Sequence, residues 1–141
     1  MIRLALTDDQ RLFRKGMAML LKDMAGAEVV LECANGAELL TALKETPVDL
    51  VLLDLQMPVL DGRKTLVHLK KDHPQVKVVI LSTHDEEAVI AELMGMGANG
   101  YMLKSAEPDE IDTAIRAVAQ SGFYLNDTVD RVMLHGLVKK K

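Results

Sequence analysis

The chain has 141 residues, 49% of them hydrophobic and 27% charged, which suits one globular domain with a full core. A formal net charge of -4 excludes a global basic field, so these residues are not expected to bind nucleic acid strongly by themselves. The single Cys33 excludes an internal disulfide and a cysteine-rich zinc site. With no signal peptide pattern and no apolar run near the roughly 18 residues of a membrane span, we expect a soluble, cytoplasmic protein without a membrane partner.

Strand-like and helix-like patterns alternate five times along the chain. Apolar runs predict strands at residues 2–6, 28–33, 50–53, 77–81 and 100–103. Helical spacing predicts a first helix around residues 12–24 with Asp9 as its candidate N-cap, then helices at 37–44, 64–71 and 85–94, and a fifth that begins at Pro108. The third and fourth strands are apolar on both faces, as in central strands covered by helices. The pattern predicts an α/β fold with a doubly wound, five-stranded parallel sheet and helices on both faces.

The pattern loosens after the fifth helix. Residues 1–121 are predicted to form the domain, and residues 122–141 are predicted to be a linker or tail. In this tail, spaced apolar residues suggest a short amphipathic helix: Val129, Val132, Met133 and Leu137. The three lysines at the end are too few to indicate a binding patch.

Polar residues follow four of the predicted strands at the point where each strand ends. Asp8 and Asp9 follow the first strand, Asp54 the third, Ser82 the fourth and Lys104 the fifth. Because the carboxyl ends of parallel strands meet at one edge of a sheet, these side chains are expected to share a site. Clustered carboxylates repel one another unless a cation neutralises them, and an all-oxygen site suits Mg²⁺ better than Zn²⁺. A carboxylate held beside Mg²⁺ can accept a phosphoryl group.

With these residues in place, the chain resembles the receiver domains of two-component response regulators over about residues 2–121. The matching motifs are TDDQ, LLDLQMPVLDG, ILST and GYMLKS, each at the end of its strand, and their joint order and spacing carry the resemblance. The segments LFRKGMAMLL and GYMLKSAEPDEI look most like the NarL/LuxR-type subfamily, in which a linker joins the receiver to a C-terminal helix-turn-helix domain. The resemblance implies the strand order 2-1-3-4-5.

The resemblance also implies how phosphorylation and metal binding are divided among the acids. Asp54 would be the phosphoacceptor, attacking the phosphohistidine of a partner sensor histidine kinase. Asp9 would bind Mg²⁺ directly and Asp8 largely through water. Asp54 itself and the backbone carbonyl of Gln56 would complete the metal ligands.

The remaining roles concern the response to the phosphoryl group. Lys104 would pair with a phosphoryl oxygen and Ser82 would donate a hydrogen bond to it. Tyr101 would be the switch aromatic, although an ordinary half-buried strand tyrosine has the same pattern. His84, near the mouth of the site, is either a solvated loop histidine or one that influences hydrolysis. Where many family members have proline after the lysine, often with a cis bond, this chain has Ser105, so that bond could be trans.

Two further motifs have simpler interpretations. Asp61 and Gly62 are interpreted as turn residues after the third strand without a catalytic role. The nine methionines are interpreted mainly as core residues on helix faces.

The implied function is a phosphorylation-dependent switch and not an enzyme, although the domain would assist its own phosphorylation and dephosphorylation. Its output face would be the last two helices with the fifth strand, or the first and last helices. Phosphorylation would favour a homodimer, and DNA would be bound only through a C-terminal domain absent from this chain. The alternative is a stand-alone receiver or phosphorelay intermediate that acts by protein contact.

Two rivals come from other classes. A Mg²⁺-dependent phosphohydrolase with an aspartyl nucleophile generally has a second acid two residues further on, where this chain has Gln56. A flavin-binding protein of similar fold would need a hydroxyl- and glycine-rich phosphate loop after the first strand, and the sequence TDDQ is not such a loop.

Overall fold

A computed structural model describes residues 1–124 as strands and helices in strict alternation. The strands are β1 (Ile2–Thr7), β2 (Ala27–Cys33), β3 (Leu50–Asp54), β4 (Lys77–Ser82) and β5 (Gly100–Leu103). The helices are α1 (Arg11–Lys22), α2 (Gly36–Ala42), α3 (Gly62–Asp72), α4 (Glu87–Gly95) and α5 (Pro108–Ser121). All pairings are parallel, in the order β2-β1-β3-β4-β5. This confirms the predicted α/β fold and strand order.

The sheet separates two hydrophobic cores because successive residues of a strand point to opposite faces. On one face, Val51 and Leu53 of β3 pack with buried residues of α2, α3 and α4. On the other, Leu50 and Leu52 pack with buried residues of α1 and α5. Every residue of β3 is therefore buried, which explains the unbroken apolar run that precedes Asp54.

The register brings the carboxyl ends of the central strands level with one another. Thr7 of β1 lies opposite Leu53 of β3, and Asp54 of β3 lies opposite Leu81 of β4. The residues that follow β1 and the last residue of β3 are thus neighbours at one edge of the sheet. This is the edge at which the sequence predicts a site.

The helix starts differ in detail from the predicted ones. Gln10, not Asp9, occupies the N-cap position of α1, so the N-cap prediction for Asp9 was wrong. The turn is closed instead by Asp8, whose carboxylate accepts a hydrogen bond of 2.8 Å from the Gln10 backbone N–H. Asp61, interpreted from the sequence as a turn residue, is the N-cap of α3 and accepts from the Lys64 backbone N–H at 2.9 Å.

Gly62 begins α3 directly against the end of β3. A Cβ atom at this position would lie 2.5 Å from the Asp54 carbonyl oxygen and 2.7 Å from the Leu55 Cα. Its backbone N–H donates to the Leu55 carbonyl at 2.9 Å. Only glycine lets the helix approach the site-bearing strand this closely, which is a stricter requirement than turn formation.

At the opposite edge of the sheet, Asn99 joins the end of the domain to the starts of β4 and β5. Its side-chain oxygen accepts from Lys70 Nζ at 2.9 Å and from the Val78 N–H at 2.8 Å. Its side-chain nitrogen donates to the Gly122 carbonyl at 2.8 Å, and its backbone carbonyl accepts from the Tyr124 N–H at 2.8 Å. Asn99 therefore fixes the chain that leaves α5 to the sheet.

The predicted amphipathic helix of the tail, at Val129, Val132, Met133 and Leu137, lies outside the described residues, as do the three terminal lysines. Within residues 1–124, none of the helices has the length and apolar character needed to cross a membrane.

Candidate functional site

Three carboxylates meet at the carboxyl ends of β1 and β3. Asp8, Asp9 and Asp54 each place a carboxylate oxygen within 4.8 Å of the others. Asp8 and Asp54 are both 5% exposed, whereas Asp9 is exposed. The structure thus brings together the three acids that the sequence predicts as one cluster.

The chemistry of this cluster fits a hard divalent cation. One carboxylate oxygen of Asp8, Oδ2, is buried, and its contact among the described residues is an ion pair of 2.8 Å with the Lys104 ammonium. Within the described residues, the cluster consists of carboxylates and includes no histidine or cysteine. All-oxygen ligand sets of this kind suit Mg²⁺. Gln56, two residues beyond Asp54, donates its backbone N–H to Asp54 Oδ1 at 3.4 Å, so its own backbone lies at the rim of the cluster.

Lys104 supplies the positive charge of the site. Its Nζ lies 2.8 Å from Asp8 Oδ2 and 3.4 Å from Asp54 Oδ1, and its side chain is only 10% exposed. The Lys104 backbone N–H donates to the Ser82 carbonyl at 2.8 Å, which fixes the turn after β5 beside the end of β4. One ammonium thus faces two buried carboxylates.

Together with burial, the excess of negative charge in the site contributes to a raised pKa of Asp54. Burial, and after it the nearby Asp8 carboxylate, raise the pKa of this carboxyl from 3.8 to about 6, although Lys104 and the Gln56 N–H act in the opposite direction. Lys104 alone therefore does not compensate for the burial of Asp54 beside Asp8. A cation in the cluster would add the missing positive charge.

Ser82 and Tyr101 both hold the segment that follows β4. Ser82 is buried, and its Oγ accepts a hydrogen bond of 3.0 Å from the His84 N–H. Tyr101 is only 2% exposed, deeper than a half-buried strand tyrosine, and its hydroxyl donates to the His84 carbonyl at 2.6 Å. Burial also raises the pKa of Tyr101, which keeps the hydroxyl a donor. The serine and the tyrosine are thus coupled through the backbone of one residue.

His84 itself contacts the rim of the site. Its Nε2 lies 2.9 Å from the Gln56 side-chain nitrogen, and its Nδ1 lies 3.2 Å from a Glu86 carboxylate oxygen. Both contacts lie at the surface, and an influence of His84 on hydrolysis stays a prediction. The peptide bond between Lys104 and Ser105 is trans, because residues 1–124 contain no cis bond.

The sequence analysis missed two residues that contact the lysine. Gln10 Oε1 accepts from Lys104 Nζ at 2.8 Å, and the Phe13 ring centroid lies 4.7 Å from the same nitrogen. The only indication in the sequence was that both residues come shortly after Asp8 and Asp9, close to the start of α1.

This geometry agrees with the comparison to known families. The sequence matches the family model of the response regulator receiver domain over residues 4–116. The chain belongs to the response regulator receiver family. The resemblance stated from the sequence motifs is confirmed, and so is its NarL/LuxR-type character, since similar proteins include regulators of that group.

Three relatives illustrate the similarity of this receiver to known proteins. The transcriptional regulatory protein LnrK of Bacillus subtilis is 36% identical over 141 residues, which is 100% of this chain and 64% of LnrK. A LuxR-family two-component response regulator from Aurantimonas sp. SI85-9A1 has 28% identity and a TM-score of 0.87, covering 96% of this chain and 97% of that one. The receiver domain of the putative response regulator NarL from Mycobacterium tuberculosis has 32% identity and a TM-score of 0.80, covering 85% and 97%.

This receiver spans about three fifths of the length of the curated relatives that it matches. It is homologous to transcriptional response regulators of two-component systems.

Proposed function

We propose that this receiver accepts a phosphoryl group on Asp54 from a sensor histidine kinase. The observation that carries the proposal is the position of Asp54, buried between two further carboxylates and 3.4 Å from the Lys104 ammonium. In the transfer, a carboxylate oxygen of Asp54 forms a bond to phosphorus while the phosphorus–nitrogen bond of the phosphohistidine breaks. The electron pair of that bond remains on the imidazole, and the product is an acyl phosphate.

The other residues of the site hold the transferred group. Asp8, Asp9, Asp54 and the Gln56 carbonyl would bind Mg²⁺, which supplies positive charge toward the phosphoryl oxygens. Lys104 contributes an ammonium as a point charge from the turn after β5. The same residues assist both phosphorylation and dephosphorylation, and the domain acts as a signalling switch, with no further enzyme activity.

The switch itself acts through Ser82 and Tyr101. In the structure, the Ser82 hydroxyl accepts from the His84 N–H, and a hydroxyl can also donate to a phosphoryl oxygen if it turns toward Asp54. That movement displaces the His84 backbone, to which the Tyr101 hydroxyl is bound. Differential contacts of this size are worth about 1–3 kcal/mol and shift the balance between two arrangements of the β4–α4 segment.

In the full-length protein, the switch would control transcription. Residues 1–121 form the receiver in this proposal, and residues 122–141 are the linker toward a C-terminal DNA-binding domain. The support is that LnrK, a transcriptional regulatory protein, is longer than this chain and matches it in full. Such a protein would work in the cytoplasm, where its kinase presents the phosphohistidine.

The phosphoacceptor is tested with Mg²⁺ and acetyl phosphate as the donor. Intact-mass measurement is expected to find one added phosphoryl group on the native chain and none on Asp54→Asn. Asp72→Asn is the matched control, because Asp72 is an exposed aspartate at the end of α3. If Asp54→Asn still gained an acid-stable phosphoryl group, the assignment of Asp54 would be wrong.

Mg²⁺ is expected to raise the melting temperature of the native chain. A ligand that binds only the folded state at ten times its Kd stabilises that state by about 1.4 kcal/mol, which corresponds to a few degrees for a domain of this size. Asp9→Asn removes an exposed carboxylate of the cluster and is expected to weaken the effect. The measurement is thermal unfolding across a Mg²⁺ titration, with Asp72→Asn as control. A melting temperature that stays constant up to tens of millimolar Mg²⁺ would argue against the metal site.

Phosphorylation is expected to promote a homodimer of this receiver. The reason is that paired output domains on neighbouring half-sites require two-fold symmetry. Beryllofluoride, a phosphoryl mimic, should shift the sedimentation distribution from monomer toward dimer. Lys104→Ala should weaken this shift while the circular dichroism spectrum is retained. Identical distributions with and without the mimic would show that dimerisation is not the output.

A further inference from the structure

The Lys104 ammonium has four neighbours, and two of them are neutral. The charged neighbours are the Asp8 and Asp54 carboxylates at 2.8 and 3.4 Å. The neutral ones are the Gln10 amide oxygen at 2.8 Å and the face of the Phe13 ring at 4.7 Å. The contact with Gln10 has hydrogen-bond geometry, whereas the contact with Asp8 Oδ2 is an ion pair without that geometry. The lysine is thus oriented by glutamine and attracted by the acids.

Gln10 and Phe13 reach the lysine from a single turn of the chain. Gln10 is the N-cap residue of α1 and makes no side-chain capping bond to that helix. Phe13 stands three residues later, a spacing that places two side chains on the same face of a helix, and it packs against the core formed by α1 and α5. The Gln10 side chain is therefore not required for the helix start, and its hydrogen bond is directed to a residue 94 positions away.

The two kinds of neighbour respond differently when a cation binds. In the proposed metal-bound state, Asp8 and Asp54 would hold a dication, which would offset their negative charge and repel the Lys104 ammonium. The attraction of the two acids for Lys104 would then be weaker. A neutral amide oxygen and an aromatic ring face still attract the ammonium, because neither has a charge that the cation neutralises.

We propose that Gln10 and Phe13 form a neutral cradle that positions the Lys104 ammonium for an incoming phosphoryl group. They are positioning residues, because both contact Lys104 and act through it. The inference rests on the proposed phosphoryl site at Asp54 and adds the two residues that keep its lysine in place once the carboxylates bind metal.

The test is a double-mutant cycle between Gln10→Ala and Lys104→Ala, with beryllofluoride as the probe at saturating Mg²⁺. Gln10→Ala is expected to lower beryllofluoride affinity roughly three- to tenfold, as for the loss of one ordinary hydrogen bond. In the Lys104→Ala background, the same substitution should have no further effect. Phe13→Leu keeps an apolar side chain and should lower the affinity roughly two- to fivefold, again only when Lys104 is present. Gln120→Ala, at an exposed glutamine of α5, should leave the affinity unchanged.

A second readout needs no metal. Thermal unfolding of the same variants without Mg²⁺ should show that Gln10→Ala lowers the melting temperature only while Lys104 is present. Coupling in both measurements supports the cradle. Additive effects in the beryllofluoride measurement overturn it, whether or not unfolding shows coupling, because the hydrogen bond would then not act in the metal-bound state. If the native chain failed to bind beryllofluoride at all, the proposed phosphoryl site at Asp54 would be wrong, and the cradle proposal, which rests on that site, would be wrong as well.

Discussion

Asp54→Asn is expected to raise the free energy of unfolding at about pH 7.5, without divalent metal, by about 1–3 kcal/mol. The cause is the pKa of Asp54, which burial and the Asp8 carboxylate raise from 3.8 to about 6 in the folded protein. A carboxyl whose pKa is higher in the folded state is more costly to ionise there than in the unfolded chain. Above about pH 6 the native chain bears this cost in full, and asparagine has the same shape without the charge.

The pH dependence distinguishes this explanation from a simple packing effect. As the pH falls from about 6 toward about 4, Asp54 becomes protonated in the folded state first, so the cost decreases and the two proteins should converge. The expected gain in the free energy of unfolding is smaller than the free energy that corresponds to the whole pKa shift of Asp54, because asparagine attracts Lys104 less than a carboxylate does. Urea unfolding at several pH values measures the difference, with Asp72→Asn as the control that should show little change. Equal stability at about pH 7.5, or a difference independent of pH, would contradict the prediction.

Gly62→Ala is expected to destabilise the fold by about 3 kcal/mol or more, lowering the melting temperature by roughly 10 °C. The added Cβ would lie 2.5 Å from the Asp54 carbonyl oxygen and 2.7 Å from the Leu55 Cα, and both are backbone atoms that cannot turn away. Either α3 must move outward or the end of β3 must shift. Because β3 carries Asp54, this movement should also reduce phosphorylation by acetyl phosphate.

Gly16→Ala is the matched control for this substitution. A Cβ at Gly16, inside α1, meets no other atom within 4 Å, so alanine should stabilise the helix by up to about 1 kcal/mol. Thermal unfolding of both variants compares the two glycines directly. If the two substitutions had the same effect, close contact between α3 and β3 would not be the reason for Gly62.

Much of the fold was predictable because central parallel strands have a distinctive sequence. The strand that ends at Asp54 is buried on both faces and is therefore apolar throughout, and the polar residue at its end marks the functional edge. The same reasoning placed Asp8, Asp9 and Lys104 at that edge. The element bounds were less accurate: four of the five strands are one residue longer than predicted, α1 and α2 each begin one residue earlier and end two residues earlier, and α4 begins at Glu87 rather than at residue 85.

The errors and omissions concern contacts that the local sequence does not encode. Asp9 was expected to cap α1 because aspartate suits both an N-cap and a metal site, and local sequence does not distinguish these uses. The hydrogen bond from Lys104 to Gln10 joins residues 94 positions apart, so it follows from the sheet order and not from a motif. Gly62 was interpreted as a turn residue, since its close packing against β3 depends on where the helix docks.

The attachment made by Asn99 has a consequence for building new signalling proteins. Asn99 and Lys104 stand at the two ends of one short stretch, and the four residues of β5 between them span about 13 Å. One end of this stretch contacts the acidic cluster, and the other is bonded to Gly122 and Tyr124, where the chain leaves the domain. The proposed phosphorylation site and the point where the chain leaves the domain therefore lie at the two ends of the same strand. A foreign output module fused after Tyr124 would inherit this connection, and we expect such chimeras to remain responsive as long as Asn99 is kept.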